Sequence, residues 1–481
     1  MSTQASGGRR TALAVGAVGL GLVLIGAGVA VRPDDEPRVE VAAGTNRPIT
    51  AALASASGDG TGDAALAAWS SPALVANPTD ADQLVVAARR ERPQLGAGLA
   101  RSGDGGATWS ALELPLPPGQ ARAYGLDAAF DAAGTLYVAY ATLSDPANNP
   151  TGLWLVRSAD GGASFTAPVT VTGPYAYQPR VAVGNGRVHV SFVQASSAVE
   201  TISNGFGPPP NPVLVATSVD GGASFAAPVA ASSPARARVG AATPVVGAGG
   251  GLFVLYSDYG DDDVDLQGLA GPVHQGRFSL VLARSGDGGA TFSEAAVVDD
   301  ALVPSSRFNP YTPPFASLAA DPEVDTLYVA WSDARAGGPD VYVRRSDDGG
   351  ATWTAPVRVN PAATADQYLP AVSVAVGGRV DVAYLDRSYA ADPSANSMTA
   401  AAVATSFDFG ATWHAIAVSD TLFDATVGPE AIGGGADPGS RLGLVSTPTS
   451  ALAVWPDTRA GTADTGRRDL YFAPVGITPE Q

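Results

Sequence analysis

The stretch Ser346-Asp-Asp-Gly-Gly-Ala-Thr-Trp353 decides the fold, because it occurs six times in the chain with small changes. The copies share the pattern S-x-D-x-G-x-[ST]-[FW] and occupy residues 102–109, 158–165, 218–225, 285–292, 346–353 and 406–413. Their starts lie 56, 60, 67, 61 and 60 residues apart. Asp and Gly favour tight turns, and an aromatic side chain packs well beneath one. Each copy is therefore predicted to be a hairpin turn between two strands.

Short apolar or alternating runs surround each of these turns. For the fifth copy they are residues 315–319, 326–331 and 340–345 before the turn and residues 355–359 after it. Four strands joined in this order form an antiparallel meander of about 60 residues, which is the unit of a β-propeller. The chain is therefore predicted to be all-β.

A last set of strands has no such turn. It comprises residues 442–447, 450–455 and 469–473 and lacks a fourth strand. Closing the ring removes exposed sheet edges, so a strand from near the start of the chain is expected to complete the set. Residues 38–42 are the first candidate and residues 49–53 the second. We predict seven four-stranded antiparallel blades, with a six-bladed ring as the alternative.

The composition excludes several classes of function. The chain has 481 residues, 46 acidic and 28 basic, for a net charge of −18, which disfavours nucleic-acid binding. It has no Cys, so disulfides, thiolate catalysis and Cys-based metal sites are excluded. The three His residues are scattered, so no zinc site is predicted. A monomer is expected.

The amino terminus differs from the rest of the chain. Residues 11–31 are uncharged and apolar, follow Arg9-Arg10, and are long enough to span a bilayer. A cleaved signal peptide is the competing interpretation, with residues 28–30 as the cleavage site. Both predict export to the extracellular space or the cell envelope. The expected organisation is an anchor or signal at 1–31, a linker with the possible closing strand at 32–64, and a propeller at 65–481.

The six copies resemble the repeats of the Asp-box (bacterial neuraminidase repeat) propellers, whose best-known members are sialidases. The resemblance covers roughly residues 65–475. It implies that each box joins the third and fourth strands of a blade and is structural rather than catalytic. That role is carried over to the Asp of each copy: Asp104, Asp160, Asp220, Asp287, Asp348 and Asp408.

The face opposite these turns is expected to carry any recognition site. If the strands of a blade are labelled A to D from the axis outward, the boxes are C–D turns and the B–C loops lie on the other face. Two B–C loops share the pattern Trp-x-Asp-x-Arg, at residues 331–335 and 455–459, and a third contains Asp386-Arg387. Such Asp and Arg side chains either bind a carboxylated or sugar ligand or satisfy each other structurally. The predicted ligand-binding residues are Arg335, Arg387, Arg459, Asp386 and Asp457.

Sialidase resemblance implies an Arg-Ile-Pro strand start, two further Arg, an acid/base Asp, and a Tyr nucleophile paired with Glu. Asp333 matches the acid/base Asp and is the predicted catalytic residue. Arg-Ile-Pro does not occur, and two strand starts instead read Tyr177-Gln-Pro179 and Tyr368-Leu-Pro370. Tyr177 and Tyr368 are predicted ligand platforms, with simple rim residues as the alternative. Glu200 and Glu430 are the glutamates expected near this face.

The predicted function is ligand binding by an exported propeller. The ligand is expected to be a glycan or an envelope protein, held on the face opposite the boxes. The alternatives are a sialidase-type glycoside hydrolase with a diverged arginine clamp and a structural propeller of the cell envelope. No cofactor is required, although the acidic loop containing Asp261–Asp263 is a candidate calcium site, with a solvated charge run as the alternative.

Overall fold

The chain folds as a seven-bladed β-propeller of antiparallel blades, as predicted. The computed structural model describes residues 39–56, 66–196, 211–261, 275–304, 316–361, 365–392, 397–429 and 438–479. The predicted membrane span or signal peptide, with its cleavage site, lies outside the described residues. Within those residues, no helix combines the length and the apolar character that crossing a bilayer requires.

The strands follow one another from the axis outward in each blade, numbered in chain order. Blade 1 contains β3 (Ala68–Asn77), β4 (Asp80–Arg92), β5 (Gly96–Ser102) and β6 (Ser110–Ala111). Blade 2 contains β7 (Ala123–Phe130), β8 (Leu136–Leu143), β9 (Pro150–Ser158) and β10 (Val169–Thr172). Blade 3 contains β11 (Ala176–Gly184), β12 (Arg187–Gln194), β13 (Val213–Ser218) and β14 (Val229–Ala230).

The next three blades have the same order. Blade 4 contains β15 (Val239–Val246), β16 (Leu252–Asp258), β17 (Phe278–Ser285) and β18 (Ser293–Leu302). Blade 5 contains β19 (Ser317–Ala320), β20 (Leu327–Asp333), β21 (Asp340–Ser346) and β22 (Val357–Arg358). Blade 6 contains β23 (Gln367–Val374), β24 (Val380–Asp386), β25 (Met398–Ser406) and β26 (His414–Ala417), and β27 (Phe423–Asp424) also pairs with β25.

Blade 7 closes the ring with a strand from near the start of the chain. It contains β28 (Gly443–Ser446), β29 (Ser450–Asp457) and β30 (Asp469–Pro479), and its outer strand is β1 (Val39–Ala43), with β2 (Arg47–Pro48) also paired to β30. The Gly44 N–H donates to the Pro474 carbonyl at 2.7 Å. Residues 49–53, the second candidate for this strand, are not a strand. They belong largely to helix α1 (Thr50–Ala56), whose Ala-rich sequence favours a helix.

A hydrophobic cluster fills each of the seven gaps between neighbouring blades. The gap between blades 7 and 1 also receives Ile49 and Leu53, which are fully buried. Every blade therefore packs on two neighbours, and only a closed ring buries both faces of every sheet. The six repeat turns lie at the periphery of this core, between the third and fourth strands.

Each repeat turn is held by one serine and one aspartate. In the fifth copy the Ser346 hydroxyl donates to Asp348 at 2.8 Å and accepts the Gly350 N–H at 2.8 Å. The Thr352 hydroxyl and N–H donate to Asp348 at 2.6 and 2.8 Å and lower the pKa of its carboxyl to about 2. The equivalent bonds occur in the other five copies. These contacts give the six aspartates a role in shaping the turns.

Candidate functional site

The inner strands of five blades carry the same irregularity near the axis. Each has one residue with a positive φ, followed within two residues by a shift in the register of pairing with the next strand. The positive-φ residues are Ser71, Gly125, Gln178, Ala241 and Leu369. Bulges of this kind redirect side chains and occur often beside functional sites. The residues two positions further on line the axial cavity: Ala73, Asp127, Arg180, Thr243 and Ala371.

The axial cavity has a volume of about 180 Å³ and receives residues from all seven blades. This volume holds roughly six water molecules and is below the usual range for drug-sized ligands. It accommodates one small group, such as a single sugar ring or a carboxylate. Most of the lining is small or apolar, and its charged members are Asp127, Arg180 and Arg441.

Arg180 presents a cationic side chain to this cavity without a protein counter-ion. Among the residues that the structure describes, none forms a hydrogen bond or an ion pair with its guanidinium. Burial, together with repulsion from Arg441, lowers the pKa of Arg180 to about 9, against the attraction of Asp127. The guanidinium is still charged at neutral pH, and a bound anion would stabilise it.

Arg441 and Asp127 form an ion pair across the axis. Arg441 donates to Asp127, to the Leu126 carbonyl at 2.5 Å and to the Ser71 carbonyl at 3.2 Å. The second carboxylate oxygen of Asp127 accepts the Val181 N–H at 2.8 Å. Both oxygens of Asp127 are therefore engaged, which leaves Arg180 without this partner.

Glu91 and Tyr124 lie beside a third arginine of the site, Arg89. Glu91 accepts hydrogen bonds from Arg89 at 2.9 Å, Ser70 at 2.5 Å and the Tyr124 hydroxyl at 3.2 Å. Burial alone would raise the pKa of Glu91, but the charge of Arg89 and these hydrogen bonds outweigh it and lower that pKa. The Arg89 guanidinium also stacks 5.5 Å above the ring of Tyr124.

The three arginines make this site locally positive in an acidic chain. Arg89 is close enough to Arg180 and Arg441 to lower the pKa of both by repulsion, after the larger effect of burial. Arg89 pairs with Glu91 and Arg441 pairs with Asp127. Among these three arginines, only Arg180 has no carboxylate partner in the described part of the chain, so its charge remains to attract an anion.

The two Trp-x-Asp-x-Arg loops form a repeated structural unit away from this cavity. In blade 5 the Trp331 indole donates to Asp333 at 2.8 Å, and Arg335 bridges Asp333 at 2.5 Å and Asp299 at 3.0 Å. Asp299 belongs to the outer strand of blade 4, so Arg335 links two blades. Asp333 is buried and both of its carboxylate oxygens accept hydrogen bonds from protein groups. These are the contacts of a structural ion pair.

Blade 7 repeats this unit. The Trp455 indole donates to Asp457 at 3.0 Å, and Arg459 bonds Asp457 at 2.7 Å, pairs with Asp420, and lies 4.1 Å above the Tyr471 ring. Burial would lower the pKa of Arg459, but Asp457 and Asp420 raise it overall. Recurrence in blades 5 and 7 favours the structural interpretation over a single binding site.

The remaining predicted site residues are also used within the fold. Arg387 pairs with Asp366 at 2.9 Å, and Asp386 accepts the Gln367 side-chain N–H at 2.9 Å. Tyr177 is buried between blades 3 and 4. Tyr368 packs on the core between blades 6 and 7, and burial raises its pKa to about 12. None of these four predicted residues lines the axial cavity.

Several predictions fall on residues that the structure does not describe. Glu200 and Glu430 lie outside the described residues, as do Asp262 and Asp263 of the candidate calcium loop. In the part of the chain that is described, no group of three or more His, Asp or Glu could hold a metal ion. The structure adds a glutamate that was not predicted for this face, Glu91, at the end of the second strand of blade 1. Glu200 and Glu430 remain predictions.

The residues that form this site were not among the predicted catalytic or ligand-binding residues. They are Arg89, Glu91, Tyr124, Asp127, Arg180 and Arg441. One signal was available: Asp127 and Arg180 stand at an inner-strand position where blades 1, 4 and 6 have Ala73, Thr243 and Ala371. A charged residue among small ones at equivalent positions indicates a specific role.

Comparison with known proteins gives architecture alone. No protein-family model and no curated protein matches the chain. Similar solved structures include the phage phi92 endosialidase (11% identical, 92% of this chain and 70% of that chain, TM-score 0.46). An ulvan lyase is also similar (12% identical, 85% of this chain and 95% of that chain, TM-score 0.46). So is the Trypanosoma rangeli sialidase (13% identical, 85% of this chain and 55% of that chain, TM-score 0.42). These identities and TM-scores do not indicate the activity of this chain.

Proposed function

We propose that the chain binds an anionic ligand in the axial cavity and that this ligand is the acidic end of a glycan. The observation that carries the proposal is Arg180, a largely buried guanidinium that faces the cavity with no partner among the described residues. Burying a charge is costly unless it is paired. A ligand carboxylate supplies the missing partner and accepts two parallel N–H bonds from the planar guanidinium.

The lining favours a sugar acid over a larger or fully apolar ligand. The cavity holds about 180 Å³, and the Thr243 and Ser317 side chains line it together with Arg180. Hydroxyl groups beside a cation suit a polyhydroxylated acid. The negative net charge of the chain repels anions at long range, so the local positive charge has to provide selectivity.

The location of this site also fits an exported receptor. Arg89 and Glu91 lie at the end of the second strand of blade 1, on the face opposite the repeat turns. Export, residence in the cell envelope and attachment to a membrane through residues 11–31 belong to the proposal. An envelope protein that presents a carboxylate is the alternative ligand.

A second candidate function is glycoside hydrolysis of the sialidase type. The hydrogen bond between the Tyr124 hydroxyl and Glu91, at 3.2 Å, favours it. A tyrosine nucleophile needs a base to take its proton, and the lowered pKa of Glu91 makes that carboxylate a weak base. Asp127, the acid nearest to Arg180, is already bonded through both oxygens. The geometry therefore supports binding better than hydrolysis.

Isothermal titration calorimetry of the full chain in detergent tests the proposal. The ligands are glucuronic acid, N-acetylneuraminic acid, the methyl ester of glucuronic acid, and galactose. We expect at least one free acid to bind and the ester and galactose to bind at least about tenfold more weakly, because a charge-assisted bond is lost. Equal binding of the acid and its ester would refute the role of Arg180.

Two variants with the same change of charge sharpen the test. Arg180→Gln should weaken acid binding by about tenfold or more. Arg277→Gln should leave it unchanged, because Arg277 is exposed and, among the described residues, its guanidinium donates only to the Gly276 carbonyl, at 3.4 Å. Release of a fluorogenic sialoside that disappears in Tyr124→Phe would instead establish the hydrolase.

A further inference from the structure

The sixth repeat turn departs from the other five at its tip. Five copies have a glycine after the central Asp, with φ between +66° and +73°: Gly105, Gly161, Gly221, Gly288 and Gly349. The sixth copy has Phe409 at this position, with φ +59°. Bulky L residues rarely adopt this left-handed conformation. The turn keeps its backbone shape and displays an aromatic ring that the other copies lack.

Phe409 is held in place yet remains exposed. Its ring lies against Gly378, where an added Cβ would come within 2.8 Å of it, and Arg345 lies 5.7 Å from its centre. The side chain is nevertheless 53% exposed, and that of Phe407 in the same turn is 42% exposed. Strain combined with exposure of two aromatic rings indicates a surface that contacts something apolar.

Exposed apolar residues are concentrated on the face that carries the repeat turns, which we term the repeat face. Eight large apolar residues are exposed among those described, and five lie in turns on the repeat face: Val219, Val324, Val376, Phe407 and Phe409. The turns of blades 5 and 6 are joined, because the Gly377 N–H donates to Glu323 at 2.8 Å. Four of the five residues belong to these two blades.

The chain enters the propeller on this same face. Strand β1 runs antiparallel to β30, since Gly44 bonds Pro474 while Arg47 and Pro48 pair with Phe472 and Tyr471. Strand β30 begins on the face of the B–C loops, beside Asp457, and ends on the repeat face. Strand β1 therefore begins on the repeat face.

The sequence before β1 limits where a membrane could lie. Residues 11–31 form the apolar run, and only residues 32–38 separate it from the first strand. A fully extended chain spans at most about 3.5 Å per residue, so these seven residues reach about 25 Å. A bilayer that holds residues 11–31 has to lie close to the point where the chain enters β1.

We propose that the repeat face is the membrane-facing surface of the propeller and that Phe407 and Phe409 insert into the interface of a lipid bilayer. Phe side chains on the apolar face of an interfacial element are buried at the boundary between headgroups and acyl chains. The repeat face also carries the six ionised Asp of the turns, so contact depends on the rings and not on attraction to anionic lipids. The proposal is independent of the proposed function, although it leaves the Arg180 site on the opposite face accessible.

The absence of Cys from the chain makes single labelling sites available for the test. The full chain is reconstituted into phosphatidylcholine vesicles, with an environment-sensitive fluorophore on Phe409→Cys or, as control, on Tyr389→Cys. Tyr389 is 39% exposed and belongs to blade 6 too, but follows its second strand on the opposite face. Nitroxide-labelled lipids should quench the label at residue 409 about threefold more strongly than the label at residue 389, with no dependence on salt.

Equal quenching at both sites, or stronger quenching at residue 389, would overturn the proposal. A full chain that stays in solution and does not associate with the vesicles would overturn it as well, because residues 11–31 would then not anchor the protein to the membrane. Phe409→Gly provides a second measurement with a variant that restores the pattern of the other copies. A label at Val376→Cys should lose at least about half of its quenching in that background. Unchanged quenching would overturn the role of the ring.

Discussion

Arg335→Met tests whether the Trp-x-Asp-x-Arg loops are structural or bind a ligand. The change keeps most of the side-chain length and removes the charge. It deletes the ion pairs of Arg335 with Asp333, at 2.5 Å, and with Asp299, at 3.0 Å. It also removes the cation that lies 5.4 and 5.0 Å from the Trp331 and Tyr342 rings.

The expected loss of stability follows from the two buried carboxylates, Asp333 and Asp299, that the substitution leaves in place. The side chains of Asp333 and Asp299 are 0% and 1% exposed, and removing one partner of a buried pair costs about 3–5 kcal/mol. Asp299 keeps Arg344 at 3.2 Å, and Asp333 keeps the Trp331 indole at 2.8 Å. These contacts place the loss in the free energy of unfolding near the lower end, at about 3 kcal/mol.

Urea denaturation followed by tryptophan fluorescence measures this loss. Arg277→Met is the control and should change the free energy of unfolding by less than about 0.5 kcal/mol, because Arg277 is exposed. A double-mutant cycle with Asp333→Asn should give a coupling energy above about 1 kcal/mol. Arg335→Met that is as stable as the wild type, but loses affinity for acidic sugars, would refute the structural interpretation.

Three further predictions concern Arg180, His189 and Phe409. Arg180→Leu removes an unpaired charge, so it should raise the free energy of unfolding, measured by urea denaturation, by about 1–2 kcal/mol and abolish acid binding. A destabilised variant would contradict this. Burial, and then repulsion from Arg187, lowers the pKa of His189 to about 4. Below pH 6.5 the unfolded chain therefore binds more protons than the folded protein, so the free energy of unfolding falls by up to about 3 kcal/mol as the pH drops from 6.5 to 4. The urea midpoint of His189→Asn should lack this part of the decrease. Phe409→Gly should raise the melting temperature, since it relieves about 1 kcal/mol of left-handed strain, whereas Phe407→Gly should lower it.

The fold could be predicted from the sequence because each blade repeats its own local signal. The serine, aspartate and glycines of a repeat turn bond one another within nine residues, so the pattern is visible in any one copy. Ser346, Asp348 and Gly350 are an example. The closing strand was predictable for a topological reason, since a three-stranded last blade leaves an edge. Residues 49–53 were mistaken for a second candidate because short apolar runs fit a strand and a helix equally well.

The site could not be predicted in the same way, because its residues hold different positions in different blades. Arg89 ends a second strand, Arg180 lies within an inner strand, and Arg441 precedes an inner strand. Only closure of the ring brings blades 1, 3 and 7 together at the axis. The sequence pattern instead drew attention to Asp333 and Arg335, whose regular spacing reflects a contact between neighbouring blades.

The chemistry of the axis depends on a competition for Asp127. Asp127 and Arg180 occupy equivalent positions on neighbouring inner strands, and on charge alone they would pair. Arg441 reaches across from blade 7 and takes one oxygen of Asp127, while the Val181 N–H takes the other. The bulge that blades 2 and 3 share fixes the direction of the Asp127 and Arg180 side chains but not their partners. Arg441 therefore keeps the Arg180 guanidinium available, and the charge that this leaves in the cavity is what an anionic ligand neutralises.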